Sequence, residues 1–176
     1  LAIKEAENTT VGDPKANDTT IGPLVSDIQF NKVQTLIDAG VSEGATLLVG
    51  GTGKPDGLDK GYYVKPTVFG DVTNDMTIAR EEIFGPVLSI ITYTDIDEAI
   101  SIANDSEYGL AAYVAGKNKE DLTAIARRLR AGQIHLNYGS GGADAPFGGY
   151  KQSGNGREKA EWGFEEFLEV KAIMGG

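Results

Sequence analysis

Between residues 87 and 138 three short apolar runs alternate with two segments of helical period, and this alternation restricts the fold more than any other feature of the sequence. The runs are VLSIITY (87–93), LAAYVAG (110–116) and QIHLNY (133–138). After the first, Thr94 predicts a helix cap, Asp97 takes the third helical position of a capping box, and Ile96, Ala99, Ile100 and Ala103 form one face. After the second, Asn118 predicts a cap, Leu122, Ile125, Ala126 and Leu129 supply the apolar face, and the RAG that follows offers cationic residues and a terminating glycine. Continuous apolar runs joined by single helices imply parallel strands covered on both faces, here a βαβαβ unit with right-handed crossovers. The expected class is α/β, three layers around a mostly parallel sheet.

Upstream, LAIKEAEN reads as the body of a helix with no cap residue before it, so the chain, which opens on Leu1, is expected to be part of something longer. A polar connection over 9–25 leads to Ser26, a predicted cap with Gln29 as its capping-box partner. Phe30, Val33, Leu36 and Ile37 then mark a buried face, and Gly40 is the expected helix end. ATLLVGG and YYVKPTVFGDV read as strands around a Gly/Asp/Lys loop. REKAEWGFEEFLEV is helix-like, with Trp162 and Phe164 expected to pack, and a last strand is expected over 167–174. A chain of 176 residues can bury a core of its own, and one domain over 1–176 is expected.

Charge narrows the functional classes. With 16 Lys+Arg against 26 Asp+Glu the net charge is −10, which opposes a nucleic-acid or anionic-membrane surface, since both require a cationic face. No apolar run approaches the roughly 20 residues of a membrane span, no secretory signal pattern is present, and a cytoplasmic location is expected. The absence of cysteine excludes disulfides, thiolate metal sites and a cysteine nucleophile within these residues, and the single His135 leaves no histidine cluster for a metal.

Ligands of open α/β sheets sit beyond the carboxyl ends of the strands, which directs attention to the glycine-rich segment 139–156. It fits no phosphate loop: Asp144 and Lys159 stand where GSGGAD and GNGREK would need a third glycine. GGTGKP (50–55) fails too, with Pro55 in place of the metal-binding hydroxyl. Such glycines more often serve close backbone approach. His135 reads as a polar position on a sheet face. EEIFGPV (81–87) admits two readings. Either it is a turn closed by Gly85-Pro86 with Ile83 and Phe84 in the core, or one carboxylate grips a diol while Phe84 lies against a flat ring.

EEIFGPV, EYGLAA (107–112), AGQIHLN (131–137), PFGGYKQSGNGRE (146–158) and LEVKAI (168–173), with GYYVKPTVFGDV and MTIAREE before them in the same order, together resemble the C-terminal part of the NAD(P)-dependent aldehyde dehydrogenase superfamily. The resemblance spans essentially the whole chain. It implies that Glu82 binds the ribose hydroxyls on the nicotinamide side of NAD or NADP and that Phe84 lies against that ribose and ring. It implies further that Phe147, Asn137 and Gly141 border the substrate pocket, and that Glu158 is an acid near the active site serving a proton or water relay. Many relatives carry a bulky residue near Gly141, so a wide tunnel is expected. The family oxidises aldehydes to carboxylic acids through a cysteine thiohemiacetal and thioester. With no cysteine, this chain alone is expected to be inactive, a piece of a homodimeric or homotetrameric parent whose oligomerisation region pairs with the last strand. The competing expectation is a free-standing binding or interaction domain that kept the fold without the chemistry.

Overall fold

The computed structural model describes residues 1–175, so that Gly176, the last residue of the expected 1–176 span, lies outside the described residues. The chain divides into two compact units, Leu1–Thr92 and Tyr93–Gly176.

The first unit runs α1 (Ala2–Asn8), α2 (Asp27–Ser42), β1 (Thr46–Val49), β2 (Thr67–Gly70), α3 (Thr77–Arg80) and β3 (Val87–Ser89). Ser26 caps α2 as its sequence predicts, its hydroxyl accepting from the Gln29 N–H at 3.2 Å. The apolar face of α2 then buries Val33 and Ile37 completely and Leu36 nearly so, against Val64, Phe69, Val72, Ile78 and Ile83. Each such side chain contributes about 1.5–3 kcal/mol through its removal from water. The sheet order is β1-β2-β3, antiparallel between β1 and β2 and parallel between β2 and β3, and the central strand β2 is buried at all four positions.

Two local expectations are corrected here. Gly40 does not end α2, which continues to Ser42. A Cβ at Gly40 would lie 2.9 Å from Ile78 Cδ1 and 3.1 Å from Phe69 Cζ, so this glycine admits the core instead. The first of the three expected parallel strands also has a neighbour that the expected unit did not include. β3 pairs with β2, in the register Thr67↔Val87, Val68↔Leu88 and Phe69↔Ser89. Apolar periodicity identifies strands, whereas their neighbours depend on non-local pairing.

The second unit contains α4 (Ile96–Asn104), β4 (Ala111–Val114), α5 (Lys119–Ala126), β5 (Gln133–Leu136) and α6 (Ala160–Glu165). β4 and β5 are parallel and joined by α5, which makes the second crossover of the expected unit a βαβ. The class is α/β, with small parallel sheets. Asn118 caps α5 by accepting from the N–H groups of Glu120 and Asp121. The cap of α4 is Asp95 and not Thr94: Asp95 has extended backbone and accepts from the Glu98 N–H at 2.8 Å. Thr94 instead donates its N–H and hydroxyl to the Glu98 carboxylate at 2.7 and 2.6 Å.

These bonds favour the charged form and hold the Glu98 carboxyl below its ordinary value, the Thr94 hydroxyl first and its N–H second. A depressed folded-state value means that the contribution is complete above the unfolded value and fades as pH falls through the folded one. Carboxyl-resolved NMR titration should therefore find Glu98 ionising below its ordinary value, with Thr94→Val moving it back up.

The expected strand over 167–174 has no ladder among the described residues, and Val170 and Ile173 are almost fully exposed. A strand needs a partner for its backbone N–H and C=O groups. Trp162 and Phe164, expected to pack, are more than half exposed on the short helix α6. No helix among the described residues is long and apolar enough to cross a membrane.

Candidate functional site

In the first unit EEIFGPV (81–87) forms a turn between α3 and β3. Glu81 leaves the helix in extended conformation, Ile83 points into the core at 8% exposure, and Phe84 adopts a left-handed φ of 56°. A non-glycine residue reaches that region only under constraint. Phe84 is 71% exposed, which corrects the reading that placed both Ile83 and Phe84 in the core. Glu81 and Glu82 are both exposed. An open cleft of about 550 Å³ is lined by Glu81, Glu82, Ile83, Phe84, Val87 and Ser89, among others.

The turn is fixed from behind by the first turns of α2. The Gln29 side-chain amide donates to the carbonyls of Ile83 at 2.9 Å and Phe84 at 3.0 Å, and Lys32 Nζ donates to the Glu82 carbonyl at 2.7 Å. Gly85 packs flat on Val33, where a Cβ would come within 2.7 Å of Val33 Cγ2. Pro86 closes the turn by accepting from the Thr67 N–H at 2.9 Å. Sequence reasoning assigned Gln29 to a capping box. Its backbone does meet Ser26, but its side chain serves a loop more than 50 positions away, for which no local signal exists.

The other candidates lie in the second unit. Phe147 and Glu158 face each other across an antiparallel bridge, the Phe147 N–H donating to the Glu158 carbonyl at 2.9 Å and the Glu158 N–H to the Phe147 carbonyl at 2.7 Å. Lys159 Nζ stands 5.2 Å from the Phe147 ring centroid, and the Glu158 carboxylate belongs to an exposed residue. Asn137 closes the end of the β4–β5 pair: its Oδ1 accepts from the Gly116 N–H at 2.9 Å and its Nδ2 donates to the Gly116 carbonyl at 3.0 Å. Its amide therefore makes a structural clamp, a use the sequence did not announce. Gly141 is exposed in the loop beyond, where a Cβ would lie 3.1 Å from that of Ala145. His135 stacks on Tyr113, ring centroids 4.6 Å apart, with Nδ1 at 2.7 Å from the Gly139 carbonyl, so the strand-face position also anchors the loop.

Arg157, the middle residue of GRE, is a further organiser that sequence reasoning passed over. Its Nη1 donates to the carbonyls of Gly149 and Gly156, both at 2.9 Å, and its guanidinium lies 5.5 Å from the Tyr150 ring centroid. The glycine-rich stretch packs by close backbone approach, as its composition suggests. The structure thus groups Glu82 with Phe84 in one unit, and in the other joins Phe147 to Glu158 and sets Asn137 and Gly141 at and beyond the end of β5.

Comparison with known proteins bears on what these groups belong to. The model of the aldehyde dehydrogenase family matches residues 1–173. A Staphylococcus saprophyticus protein, provisionally named an aldehyde dehydrogenase, is 57% identical over 175 residues, covering 99% of this chain and 37% of that protein. Aldehyde dehydrogenase C of Pseudomonas syringae, solved as a variant with NAD+ and octanal, superposes with a TM-score of 0.94 at 54% identity, covering 97% of this chain and 35% of that one. The Mycobacterium tuberculosis aldehyde dehydrogenase solved with NAD+ gives a TM-score of 0.90 at 46% identity, over 93% of this chain and 34% of that one. The chain therefore spans little more than a third of the length of the relatives it matches. Matched from its first residue to within a few positions of its last, it belongs to the aldehyde dehydrogenase family.

Proposed function

We propose that this chain forms the nicotinamide-side wall of an NAD(P)-dependent aldehyde dehydrogenase that oxidises an aldehyde to a carboxylic acid. The observation that carries the reading is the juxtaposition of an exposed carboxylate, Glu82, and an exposed ring on left-handed backbone, Phe84, at one open cleft. The donor set fits the coenzyme's sugar: a carboxylate has two oxygens and can accept from both hydroxyls of a vicinal diol. An aromatic face beside it limits the positions open to a flat ring. When bound, the nicotinamide accepts the hydride lost by the aldehyde carbon. Glu82 would orient the ribose and Phe84 the ring, while Glu158 would hold or pass a proton near the reacting carbon and Phe147 would border the aldehyde. Neither NAD nor NADP is favoured by these residues, because the contacts that separate them lie at the adenosine end. The thiol that attacks the aldehyde must come from residues outside these 176, which contain no cysteine. A homodimeric or homotetrameric parent is part of the same reading.

Calorimetric or NMR titration of the chain with nicotinamide mononucleotide tests the cleft. Glu82→Gln removes the charge from two acceptor bonds while preserving shape, and should weaken binding about tenfold or more. Equal affinity for both proteins, or chemical-shift changes that miss residues 81–89, would remove the ribose role from Glu82.

A further inference from the structure

We infer that Gln29 is a positioning residue for the cleft: its side-chain amide sets the backbone of the 82–85 turn, and through it the direction in which Phe84 is presented. The inference rests on the nicotinamide-side reading of that cleft for its functional consequence, but its geometric content stands apart. Two consecutive carbonyls, of Ile83 and Phe84, converge on one nitrogen at 2.9 and 3.0 Å. Converging carbonyl oxygens repel each other, and an extended strand would point them to opposite sides. A primary amide carries two N–H donors on one nitrogen and can satisfy both at once. The chain reverses between them at Phe84, whose φ of 56° a bulky residue adopts only when its surroundings impose it.

The surroundings here are specific. Ile83 is anchored in the core, Gly85 is pressed on Val33, and Gln29 spans the carbonyls between those fixed points. Lys32, one turn further along α2, holds the preceding carbonyl of Glu82 at 2.7 Å. Gln29 itself is fixed at the root, since its own N–H is tied to the Ser26 hydroxyl that caps the helix. A rigid helix start is thereby coupled to the turn bearing both proposed ligand-binding side chains, so that the ring and carboxylate are ordered before a ligand arrives.

The chemistry separates donation from mere packing. Gln29→Glu keeps the shape but presents a carboxylate to two carbonyls, whereas Gln29→Ala only deletes the donors. The 176-residue chain and both variants are compared by NMR relaxation at the amides of residues 82–85 and by titration with nicotinamide mononucleotide. Both variants should broaden those amides, Gln29→Glu at least as much as Gln29→Ala, and weaken binding about fivefold or more. A space-filling role predicts that Gln29→Glu matches the parent chain, and that result overturns the inference, as does unaltered binding in either variant. If the parent chain fails to bind the nucleotide, the nicotinamide reading of the cleft falls. The relaxation data then decide the positioning role alone: broadened amides in both variants sustain it, and unchanged amides overturn it.

Discussion

Purified 176-residue chain of verified mass, incubated with NAD+ and octanal, the aldehyde seen in the Pseudomonas syringae neighbour, is expected to form no aldehyde-dependent reduced nicotinamide above the protein-free blank. The family's chemistry begins with attack of a thiolate on the carbonyl carbon, and this sequence contains no sulfur nucleophile. Serine and threonine hydroxyls are no substitute, because they attack only beside a base that takes their proton. The one imidazole, on His135, faces the Gly139 carbonyl through Nδ1 and stacks on Tyr113, with no hydroxyl partner among its described contacts. An enzyme of this kind supplies at least about a million-fold acceleration, so the loss should be complete within the sensitivity of an absorbance assay. Aldehyde-dependent turnover that follows the chain through successive purification steps would refute the division of labour proposed here.

What the sequence disclosed follows the range of the interaction involved. The caps at Ser26 and Asn118 were legible because the hydroxyl or amide and the N–H it satisfies lie within three residues. At α4 the same local logic missed by one position. Thr94 and Asp95 are both competent caps, and the choice between them was made by Glu98, whose carboxylate takes the threonine from the other side. The alternation of strands and helices from Val87 onward gave the class, but pairing belongs to the sheet and not to the strand. Nothing within VLSIITY states that its ladder partner is TVFG, some 20 residues earlier. Gly40 looked like a helix end because glycine usually marks one. The aromatic and aliphatic side chains that require its missing methyl come from β2 and α3, well beyond any local window.

The candidate site divides in the same way. Motif resemblance picked out Glu82, Phe84, Phe147 and Glu158, yet it could not tell that Phe147 and Glu158 are joined by reciprocal backbone hydrogen bonds. Nor could it tell that the Asn137 amide is spent on Gly116. The hold of Gln29 on the 82–85 turn and of Arg157 on the glycine-rich loop escaped notice for a related reason. Both act through backbone carbonyls, which every residue possesses, so the sequence of the partner segment carries no mark of the contact.

Gly132→Ala is the substitution expected to damage the second unit most. Gly132 sits immediately before β5, donating its N–H to the Gly109 carbonyl at 2.9 Å while Gln133 donates to Leu110 at 3.1 Å, so it fixes the start of the strand. A methyl on its Cα would overlap the Gly148 carbonyl and crowd Gly149 Cα at 3.1 Å. These are backbone atoms with no rotamer to change, so the glycine-rich loop itself must move. Overpacking commonly costs about 1–3 kcal/mol, and a backbone clash belongs at or above the top of that range. For a unit of this size about 3 kcal/mol lowers the melting midpoint by more than about 10 °C. Gly154→Ala is the matched control: its φ of 120° strains any side chain, but nothing lies within 4 Å, so about 1 kcal/mol is expected. Circular-dichroism melts of both variants should therefore rank Gly132→Ala well below Gly154→Ala. Equal or reversed midpoints would mean that the loop yields freely, and the bridge joining Phe147 to Glu158 would then lack the rigid support that the proton-handling role proposed for Glu158 requires.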